Sequence, residues 1–295
     1  MITLHLIDAS IYVFRAYYSM PPNFYDGRGN LVHAVYGYAS FLLDIRGRGL
    51  THASVAFDES LTTCYRNDIY PDYKANRDLP DENLKFQFEQ CQNLTKMLGF
   101  HSASLREYEA DDIIGTLATR LGGGQFKDDS VDVVIVTRDK DLGQLLRAND
   151  VLWDFANDDY MGPEDVLAKF GVTPDQMADF LALAGDSVDN IPGAPGIGAK
   201  TAAQLIQQFG SLQALLDDPA AIEMSGIRGA KRVAKIVAEN QEMLKIYRRI
   251  TAIHCAVPLE ASLSDLVLSA PDKSALSGFC DEMNFSGRMK DRLLG

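Results

Sequence analysis

Acidic residues recur at short spacings in three segments of this chain and also follow two apolar runs as single residues. The segments read EADD, TRDKD and GDSVDN, and the nine acids are Asp8, Asp58, Glu109, Asp111, Asp112, Asp139, Asp141, Asp186 and Asp189. Two like charges 4 Å apart repel by roughly 4 kcal/mol at an effective dielectric constant near 20, so such acids gather only where protons or cations neutralise them. Oxygen ligands favour hard cations, which predicts Mg²⁺ or Mn²⁺. Two such ions can support hydrolysis of a phosphodiester by activating a water and stabilising the leaving oxygen.

The predicted strands and helices would bring several of these acids together. Strands are predicted over Ile2–Asp8, Ala53–Asp58, Val131–Thr137 and Val151–Phe155, and helices over about 34–46, 83–98, 110–121 and 141–146. This alternation predicts an α/β fold with a mostly parallel central sheet flanked by helices on both faces. Ligands of such sheets bind beyond the carboxyl ends of the strands. Asp8, Asp58 and Asp139 are therefore predicted to share one rim.

The other acids form pairs whose spacing predicts a shared helical face. Asp186 and Asp189 are three residues apart, as are Glu109 and Asp112. Each pair alone has an ordinary explanation, because acids in the first turn of a helix are usually caps or dipole partners. A single aspartate after a strand likewise often forms a turn. The joint placement of these acids is what favours a metal site.

The strand signal fades after about Phe155, and the rest of the chain has helical patterns. We predict an α/β catalytic domain over 1–160 and a helical region over 161–295. The segment Ile191–Ala202 (IPGAPGIGAKTA) lacks the spacing of a nucleotide-binding P-loop and follows a helical stretch. It fits a helix–hairpin–helix at about 175–209, whose backbone N–H groups would hold DNA phosphates without reading sequence. It fits an ordinary helix–turn–helix connector equally well.

The composition is that of a globular protein whose overall charge is unfavourable for binding nucleic acid. The 295 residues are 46% hydrophobic, no apolar run approaches the ~18 residues of a membrane span, and the four cysteines form no CxxC pair, which favours a reducing cytoplasm. Net charge is −13, yet Ile227–Ile250 carries seven lysines and arginines against two glutamates. A charge run is usually a solvated helix face, but next to a phosphate-holding hairpin it also suits contact with a duplex backbone.

Six motifs, in order along the chain, resemble those of one known family. They are LIDASIYVFRAYYSMPP, VAFDES, YPDYKANR, EADDIIGTLA, TRDKDLGQLL and FLALAGDSVDNIPGAPGIGAKTA. From Ile2 to about Ile250 the chain resembles the bacterial 5′-nuclease family, which comprises the N-terminal 5′→3′ exonuclease domain of DNA polymerase I and free-standing flap endonucleases. The resemblance implies a PIN-like sheet with a helical arch at about 66–98. It also implies cleavage of branched or 5′-ended DNA, such as flaps, nicks and Okazaki-type intermediates.

The resemblance further implies roles for individual residues. The first metal cluster of the family is matched by Asp8, Asp58, Glu109, Asp111 and Asp112, and the second by Asp139, Asp141, Asp186 and Asp189. Lys74 and Arg77 would face the scissile phosphate and stabilise its charge. Tyr73 would stack on a base or pack within the protein. Arg15 and Arg66 would lie near the active site, as DNA contacts or as structural partners of the acids.

The hairpin of this family contacts DNA and binds a monovalent cation, usually K⁺, through main-chain carbonyl groups. The matching DNA contacts are Gly193, Gly196, Gly198, Lys200 and Thr201, and the matching carbonyls are those of Leu183, Ala184, Pro192, Ala194 and Ile197. One departure is Arg138, where the family usually has a small residue. Its side chain is predicted to pair with Asp139 or Asp141, or to contact DNA.

These observations predict a structure-specific 5′ nuclease that uses two Mg²⁺ or Mn²⁺ ions and acts in replication and repair. The chain ends at Gly295, which leaves no room for a polymerase and favours a free-standing enzyme over an excised fragment. We also expect a cytoplasmic monomer. Two alternatives stay open: a non-catalytic protein that binds DNA junctions, and a PIN-like ribonuclease. A nucleotide-dependent enzyme fits the residues worst.

Overall fold

The computed structural model describes residues 2–60, 63–123, 131–285 and 287–295. One sheet is formed by β1 (Ile2–Asp8), β2 (His52–Phe57), β3 (His101–Ser104), β4 (Val131–Val136), β5 (Val151–Asp154) and β6 (Asp159–Met161). The order across the sheet is β3-β2-β1-β4-β5-β6, and all neighbours are parallel except β5 and β6. The predicted mostly parallel sheet is confirmed.

Strand β1 occupies the centre of the sheet because it is apolar on both faces. Leu4 and Leu6 point to one face and Ile7 to the other, and all three are fully buried. Such strands are typical of parallel sheets that are covered on both sides. The strand order reverses at β1, since β2 and β3 extend to one side and β4 to the other. This reversal opens a crevice at the carboxyl ends of β1 and β4, where ligands of such folds bind.

Helices cover both faces of the sheet. In the described residues they are α1 (Ala9–Ser19), α2 (His33–Arg46), α3 (Tyr65–Ile69), α4 (Glu82–Met97), α5 (Ala110–Leu121), α6 (Pro163–Phe170), α7 (Met177–Ala184), α8 (Ala199–Phe209), α9 (Leu212–Asp217), α10 (Ala230–Glu239), α11 (Gln241–Thr251), α12 (Lys273–Glu282) and α13 (Arg288–Leu294). Helices α1, α2 and α4 pack on the face that carries Ile7, and α5 with α6 to α11 packs on the face that carries Leu4 and Leu6. Within this part of the chain, none of the helices could span a membrane.

The last two helices return to the α/β part of the chain. Leu276 of α12 and Met289 of α13 lie in the same buried cluster as the apolar faces of α2 and α4. The amide of Leu268 donates to the carbonyl of Thr51, directly before β2. The residues after about 266 therefore pack against the sheet layer. The division of the chain at residue 160 stays a prediction.

Several local predictions differ from the structure. Strands β3 and β6 are missing from the prediction because they span only four and three residues at the sheet edges, where little periodicity accumulates. The helix predicted over 141–146 is a short 3₁₀ helix, Lys140–Leu145. The prediction that Asp186 and Asp189 share a helical face is wrong. Asp186 exchanges both backbone hydrogen bonds with Ile191, which closes a turn.

The region predicted as an arch divides into two parts. Helix α4 buries Leu84, Phe88 and Cys91 in the core beside α1 and α2, and the arch at about 66–98 stays a prediction. Residues 70–77 form consecutive turns between α3 and α4. These turns carry a tyrosine, a lysine and an arginine toward the acidic rim of the sheet.

Candidate active site

Three acids lie at the carboxyl ends of adjacent strands. Asp8 ends β1, Asp58 follows β2 and Asp139 follows β4, and β1 lies between the other two strands. Thr137 Oγ1 donates to Asp8 Oδ2 at 3.1 Å and accepts from the Asp139 amide at 3.0 Å. The structure thus brings the acids of the predicted rim together. Thr137, which was not among the predicted site residues, links two of them.

Burial and the charges of neighbouring acids make the carboxyl groups of Asp8 and Asp111 hard to ionise. Asp8 is 4% exposed, and burial, together with the charges of Asp58 and Asp139, raises its pKa to about 7. Burial and the charges of Asp139 and Asp8 raise the pKa of Asp111, in the first turn of α5, well above its usual value. Such carboxyl groups are stabilised by protons or cations, and a donor set of oxygens suits Mg²⁺ or Mn²⁺. The residues present therefore fit divalent cations.

Lys140 forms ion pairs with Asp141 and with Asp186, which lies in the turn after α7. Its Nζ lies 2.6 Å from Asp186 Oδ2 and 3.2 Å from Asp141 Oδ1. Burial and the charge of Asp139 raise the pKa of Asp141 to about 7, although Lys140 opposes this rise. Burial alone would raise the pKa of Asp186, but Lys140 and the backbone amides of Val188 and Asp189 together lower it. Lys140 was not predicted from the sequence, although it stands between two acids in TRDKD.

Three side chains from the 70–77 turns hold Glu109 and Asp189. Lys74 Nζ contacts Glu109 and lies 3.8 Å from Asp189 Oδ2. The Tyr73 hydroxyl lies within hydrogen-bond distance of Glu109 Oε2 (2.9 Å) and Asp189 Oδ2 (3.0 Å). Arg77 donates to Asp189 Oδ1 at 2.7 Å. Because Tyr73 is only 4% exposed, this structure favours its packing role over stacking on a base.

These contacts keep both Glu109 and Lys74 charged. Burial opposes ionisation of Glu109, but Lys74 and Arg66 lower its pKa to about 2. Burial likewise opposes the charged form of Lys74, yet Glu109 and Asp189 raise its pKa above the usual value. Lys74 stands at the wall of a cavity of about 540 Å³ that Asp58 and Arg77 also line. A phosphate in this cavity would meet an ammonium and a guanidinium group.

Asp112 differs from the other predicted metal ligands. It is fully buried, and both carboxylate oxygens accept hydrogen bonds of 2.7 Å from Arg66, which is 3% exposed. Asp112 Oδ2 also accepts from the amide of Glu109 at 3.1 Å, the pattern of a helix cap, and its Oδ1 accepts from the amide of His254 at 2.8 Å. Its oxygens are therefore engaged away from the rim. Arg66 is placed as its structural partner and not as an open DNA contact.

The acids lie near one another but do not form a complete metal-binding site. Within the described ranges, no three acidic, histidine or cysteine side chains converge closely enough to hold an ion as they stand. Lys74 and Lys140 lie among the carboxylates and neutralise part of their charge. An ion would therefore require some of these side chains to move.

Two further arginines lie at the edges of the site. Arg138 Nε lies 3.1 Å from Asp154 Oδ2 at the end of β5, and not against Asp139 or Asp141. The other alternative for Arg138, a contact with DNA, stays a prediction. The parallel neighbour β5 supplies the nearer acid. Arg15 is exposed on α1, and its contact with DNA stays a prediction.

The glycine-rich segment forms a compact hairpin between α7 and α8. Gly185 and Gly193 have φ values of +81° and +67°, and a side chain at either would meet the backbone of the opposing segment. Leu183 O accepts from the Ala194 amide at 2.9 Å, and Ala194 O accepts from the Ile197 amide at 3.0 Å. The backbone of Leu183, Ala184 and Pro192 lies within the same close contact. These residues thus belong to one compact backbone unit, and binding of K⁺ by their carbonyls stays a prediction.

Gly193→Ala is expected to destabilise the protein by more than about 2 kcal/mol. Its Cβ would lie 2.4 Å from the Gly185 amide nitrogen, in addition to the strain of a positive φ. Gly229→Ala is the matched control, because Gly229 has a φ of +77° with open space around it. Its loss of stability should not exceed the strain alone, about 1–2 kcal/mol. Equal losses in urea unfolding of the two variants would contradict the close backbone approach.

A basic groove of about 740 Å³ lies beside the hairpin. It runs between the first turns of α8, with Lys200 and Thr201, and the turn 225–228, with Arg228. The exposed tip of the hairpin adds Gly196 and Gly198, and a side chain at Gly196 would meet the guanidinium of Arg232 at 2.9 Å. Arg232 of α10 thus stands directly beside the predicted phosphate-binding tip.

The Asp8→Asn variant is expected to gain stability relative to the wild type as pH rises from about 4 to 7 in EDTA. The pKa of Asp8 is about 7 in the folded chain, against an ordinary value of 3.8, so the folded state binds more protons in this interval. Wild-type stability from this group is therefore present at low pH and lost as pH rises. Thermal unfolding of both proteins, with Asp217→Asn as an exposed control, measures the difference. A difference that does not change with pH would contradict the raised pKa.

The fold and the site together define a class of protein. A doubly wound sheet with an acidic carboxyl rim, followed by a helical hairpin region, is the architecture of a resolvase-like α/β domain joined to a SAM-type helical fold. Residues 3–171 match the family described as 5′-3′ exonuclease, N-terminal resolvase-like domain, and residues 172–274 match 5′-3′ exonuclease, C-terminal SAM fold. The chain belongs to the 5′-3′ exonuclease family.

Individual relatives agree with this assignment. The chain is 32% identical to the 5′-3′ exonuclease of Aquifex aeolicus, over 99% of this chain and 95% of that protein. It is 38% identical to DNA polymerase I of Rhizobium leguminosarum over 96% of this chain, but it spans only 28% of the polymerase. The flap endonuclease of bacteriophage T5, solved with DNA and metal ions, matches with a TM-score of 0.67 over 99% of this chain and 98% of that one. At 18% identity this likeness establishes the fold.

Proposed function

We propose that this chain is a structure-specific 5′ nuclease that hydrolyses DNA phosphodiesters at 5′ flaps and 5′ ends, with two Mg²⁺ or Mn²⁺ ions. The observation that carries the proposal is a set of mutually repelling acids, Asp8, Asp111 and Asp139, at the switch point of the sheet. Lys74 and Arg77 stand at the edge of the same site. The acids would bind divalent ions, and the side chains of Lys74 and Arg77 would bind a phosphate. Phosphodiester hydrolysis requires both kinds of group.

Two groups of acids would hold the ions. Asp8, Asp58, Glu109 and Asp111 form the first, with Asp139 between it and the second, which contains Asp141, Asp186 and Asp189. When bound, the ions lower the pKa of a water and neutralise charge on the leaving oxygen. Asp112 is excluded from this proposal because Arg66 engages both of its oxygens.

The chain's own cations would position the phosphate and stabilise its charge. Lys74 remains protonated at neutral pH because Glu109 and Asp189 raise its pKa. Arg77 is half exposed and reaches the rim of the cavity from the same turn. Both could exchange a carboxylate partner for a phosphate oxygen, which makes charge-assisted hydrogen bonds of similar strength.

The duplex part of the substrate would lie on the hairpin. Exposed backbone N–H groups at Gly198 and the start of α8 suit phosphate oxygens, and the basic groove with Lys200 and Arg228 continues this surface. K⁺ on the clustered carbonyls of the hairpin would add a further positive charge toward the same strand. These contacts involve the DNA backbone, so recognition would depend on shape and not on sequence.

The decisive experiment is cleavage of a labelled 5′-flap duplex with mapped products, titrated with Mg²⁺ and compared with EDTA. We expect cuts near the junction with Mg²⁺ and none with EDTA. Tight binding of the flap without cleavage at any Mg²⁺ or Mn²⁺ concentration would instead indicate a junction-binding protein. Preferential cleavage of a matched RNA flap would indicate a ribonuclease.

The basic groove leads to a prediction about salt. Changing Lys200 and Arg228 together to alanine should weaken binding of a long duplex and reduce the slope of log K against log salt by roughly 0.9 for each phosphate that the protein no longer neutralises. Lys245→Ala is the control, because Lys245 is on α11 and is paired with Glu242. Affinity is measured by fluorescence anisotropy in EDTA between about 50 and 200 mM salt, conditions chosen to span the steep range. An unchanged slope in the double variant would remove the groove from the DNA surface.

A further inference from the structure

Two turns that are distant in sequence are bound to each other beside the acidic rim. The first turn comprises residues 72–77 and carries Lys74. The second comprises residues 186–190 and leads into the hairpin. The amide of Lys74 donates to Asp189 O at 3.0 Å, and Asn76 Nδ2 donates to Ser187 O at 3.0 Å. In the opposite direction, Asn190 Nδ2 donates to Asp72 O at 2.7 Å.

These three bonds all involve main-chain groups, so they fix the backbone of one turn relative to the other. They are separate from the ionic contacts that Lys74 and Arg77 make with Asp189. The side-chain amides of Asn76 and Asn190 bond to main-chain carbonyls and not to the carboxyl groups of the rim. These two side-chain hydrogen bonds, from Asn76 to Ser187 O and from Asn190 to Asp72 O, hold the turns together and are called the clips below.

The backbone at the junction has an unusual conformation. Lys74 has a φ of +55° and Asn190 a φ of +57°, a region that residues with side chains adopt infrequently, with asparagine the most tolerant. In this conformation the backbone N–H of Lys74 donates a hydrogen bond to Asp189 O. The contact between the two turns therefore goes together with the backbone conformation that sets the direction of the Lys74 side chain. Loss of the clips would allow this turn to relax.

We infer that Asn76 and Asn190 are positioning residues that couple the hairpin to the side chains of Lys74 and Arg77. The inference rests on the proposed function, because it assumes that the hairpin holds duplex DNA. A duplex bound at residues 193–201 fixes the turn 186–190, and the clips transmit that fixed position to the turn that carries Lys74 and Arg77. Correct seating of the duplex thereby places the two cations against the phosphate to be cut. Misplacement of a catalytic group by about 1 Å can cost on the order of 100-fold in rate.

The test uses the double variant Asn76→Ala/Asn190→Gly in the full chain. Glycine accepts the positive φ of residue 190, so this change removes the amide without adding strain. Asn284→Gly is a matched control: Asn284 also has a positive φ, of +54°, and its Nδ2 donates to Tyr25 O at 3.3 Å, between segments remote from the rim. We expect single-turnover cleavage of a 5′-flap DNA to fall by about 10- to 100-fold in the double variant, with the Kd in EDTA within about threefold. The control should retain wild-type rate.

A thermodynamic cycle separates positioning from general destabilisation. If the asparagines act through Lys74, their removal should have little additional effect on the cleavage rate in a Lys74→Ala background, because coupled residues are not additive. A merely structural role would lower the rate by the same factor in both backgrounds. That outcome, or an undiminished rate in the double variant, would overturn the inference.

Hydrogen exchange gives a readout that does not need cleavage. Adding the flap DNA in EDTA should protect peptides covering both 183–198 and 70–78 in the wild type, but only 183–198 in the double variant. Protection of 70–78 that is equal in the two proteins would overturn the coupling. Absence of cleavage by the wild type with Mg²⁺, together with this exchange pattern, would overturn the proposed nuclease activity and leave the coupling intact.

Discussion

Asp111→Asn and Asp139→Asn are each expected to reduce flap cleavage by about 10²- to 10³-fold, the scale of removing one group that stabilises a developing charge. The two carboxyl groups interact strongly, since the charge of Asp139 contributes to the raised pKa of Asp111. Asparagine has nearly the same shape but brings no negative charge, so it binds a divalent ion much less well. Activity is measured as single-turnover cleavage in saturating Mg²⁺.

Binding of DNA should survive both substitutions. The hairpin and basic groove lie on other elements, so the Kd for a flap duplex in EDTA is expected to stay within about threefold of the wild type, a change below about 0.7 kcal/mol. Removing a negative charge from the rim would, if anything, favour the polyanion. Asp217→Asn controls for the loss of an acid at an exposed site on α9. Full cleavage by either rim variant would exclude the acid cluster from the mechanism.

Arg66→Met is expected to cost about 3–5 kcal/mol of folding free energy, because it leaves a buried charge without its partner. Arg66 donates to Asp112 and Glu109 and to the carbonyls of Ile250 and Ala252, at distances between 2.7 and 3.1 Å. It joins α3, α5 and the end of α11 in one buried contact. Such a loss is a large part of the ~5–15 kcal/mol that stabilise a typical domain. The measurement is urea unfolding at pH 7.

Two variants give this prediction its controls. Arg249→Ala removes an exposed arginine from α11 and should change stability by less than about 0.5 kcal/mol. Adding Asp112→Asn to Arg66→Met should recover part of the stability, because the remaining amide oxygen can still accept the His254 amide while no charge stays unpaired. If Arg66→Met unfolds at the wild-type urea concentration, the buried pair is not structural, and a ligand role for Asp112 becomes the better explanation.

The sheet and its acidic rim could be anticipated because they follow from local patterns. Apolar runs predict β1, β2, β4 and β5, and a parallel arrangement places the residue after each strand at one edge. The shared edge of Asp8, Asp58 and Asp139 could therefore be predicted once their strands were taken to be parallel neighbours. The hairpin was visible in the same way, since closely spaced glycines mark backbone that approaches other backbone.

The partners of those acids could not be anticipated, because they depend on contacts between segments far apart in the sequence. Asp112 carries the same type and spacing as its neighbours, yet Arg66, 46 residues away, takes both of its oxygens. Arg138 stands beside Asp139 but reaches Asp154, because β5 lies next to β4.

By itself, the sequence determined the class of fold, the family and the set of acids that can gather at one edge, since each of these is carried by residue type, spacing and order along the chain. Only the tertiary structure decided which acids stay free on the rim, which cations neutralise the others, and how the hairpin turn meets the turn with Lys74. The physical reason is that charges and hydrogen bonds act over a few ångströms. Side chains brought within that range by folding therefore determine the state of each group, whatever their separation in sequence.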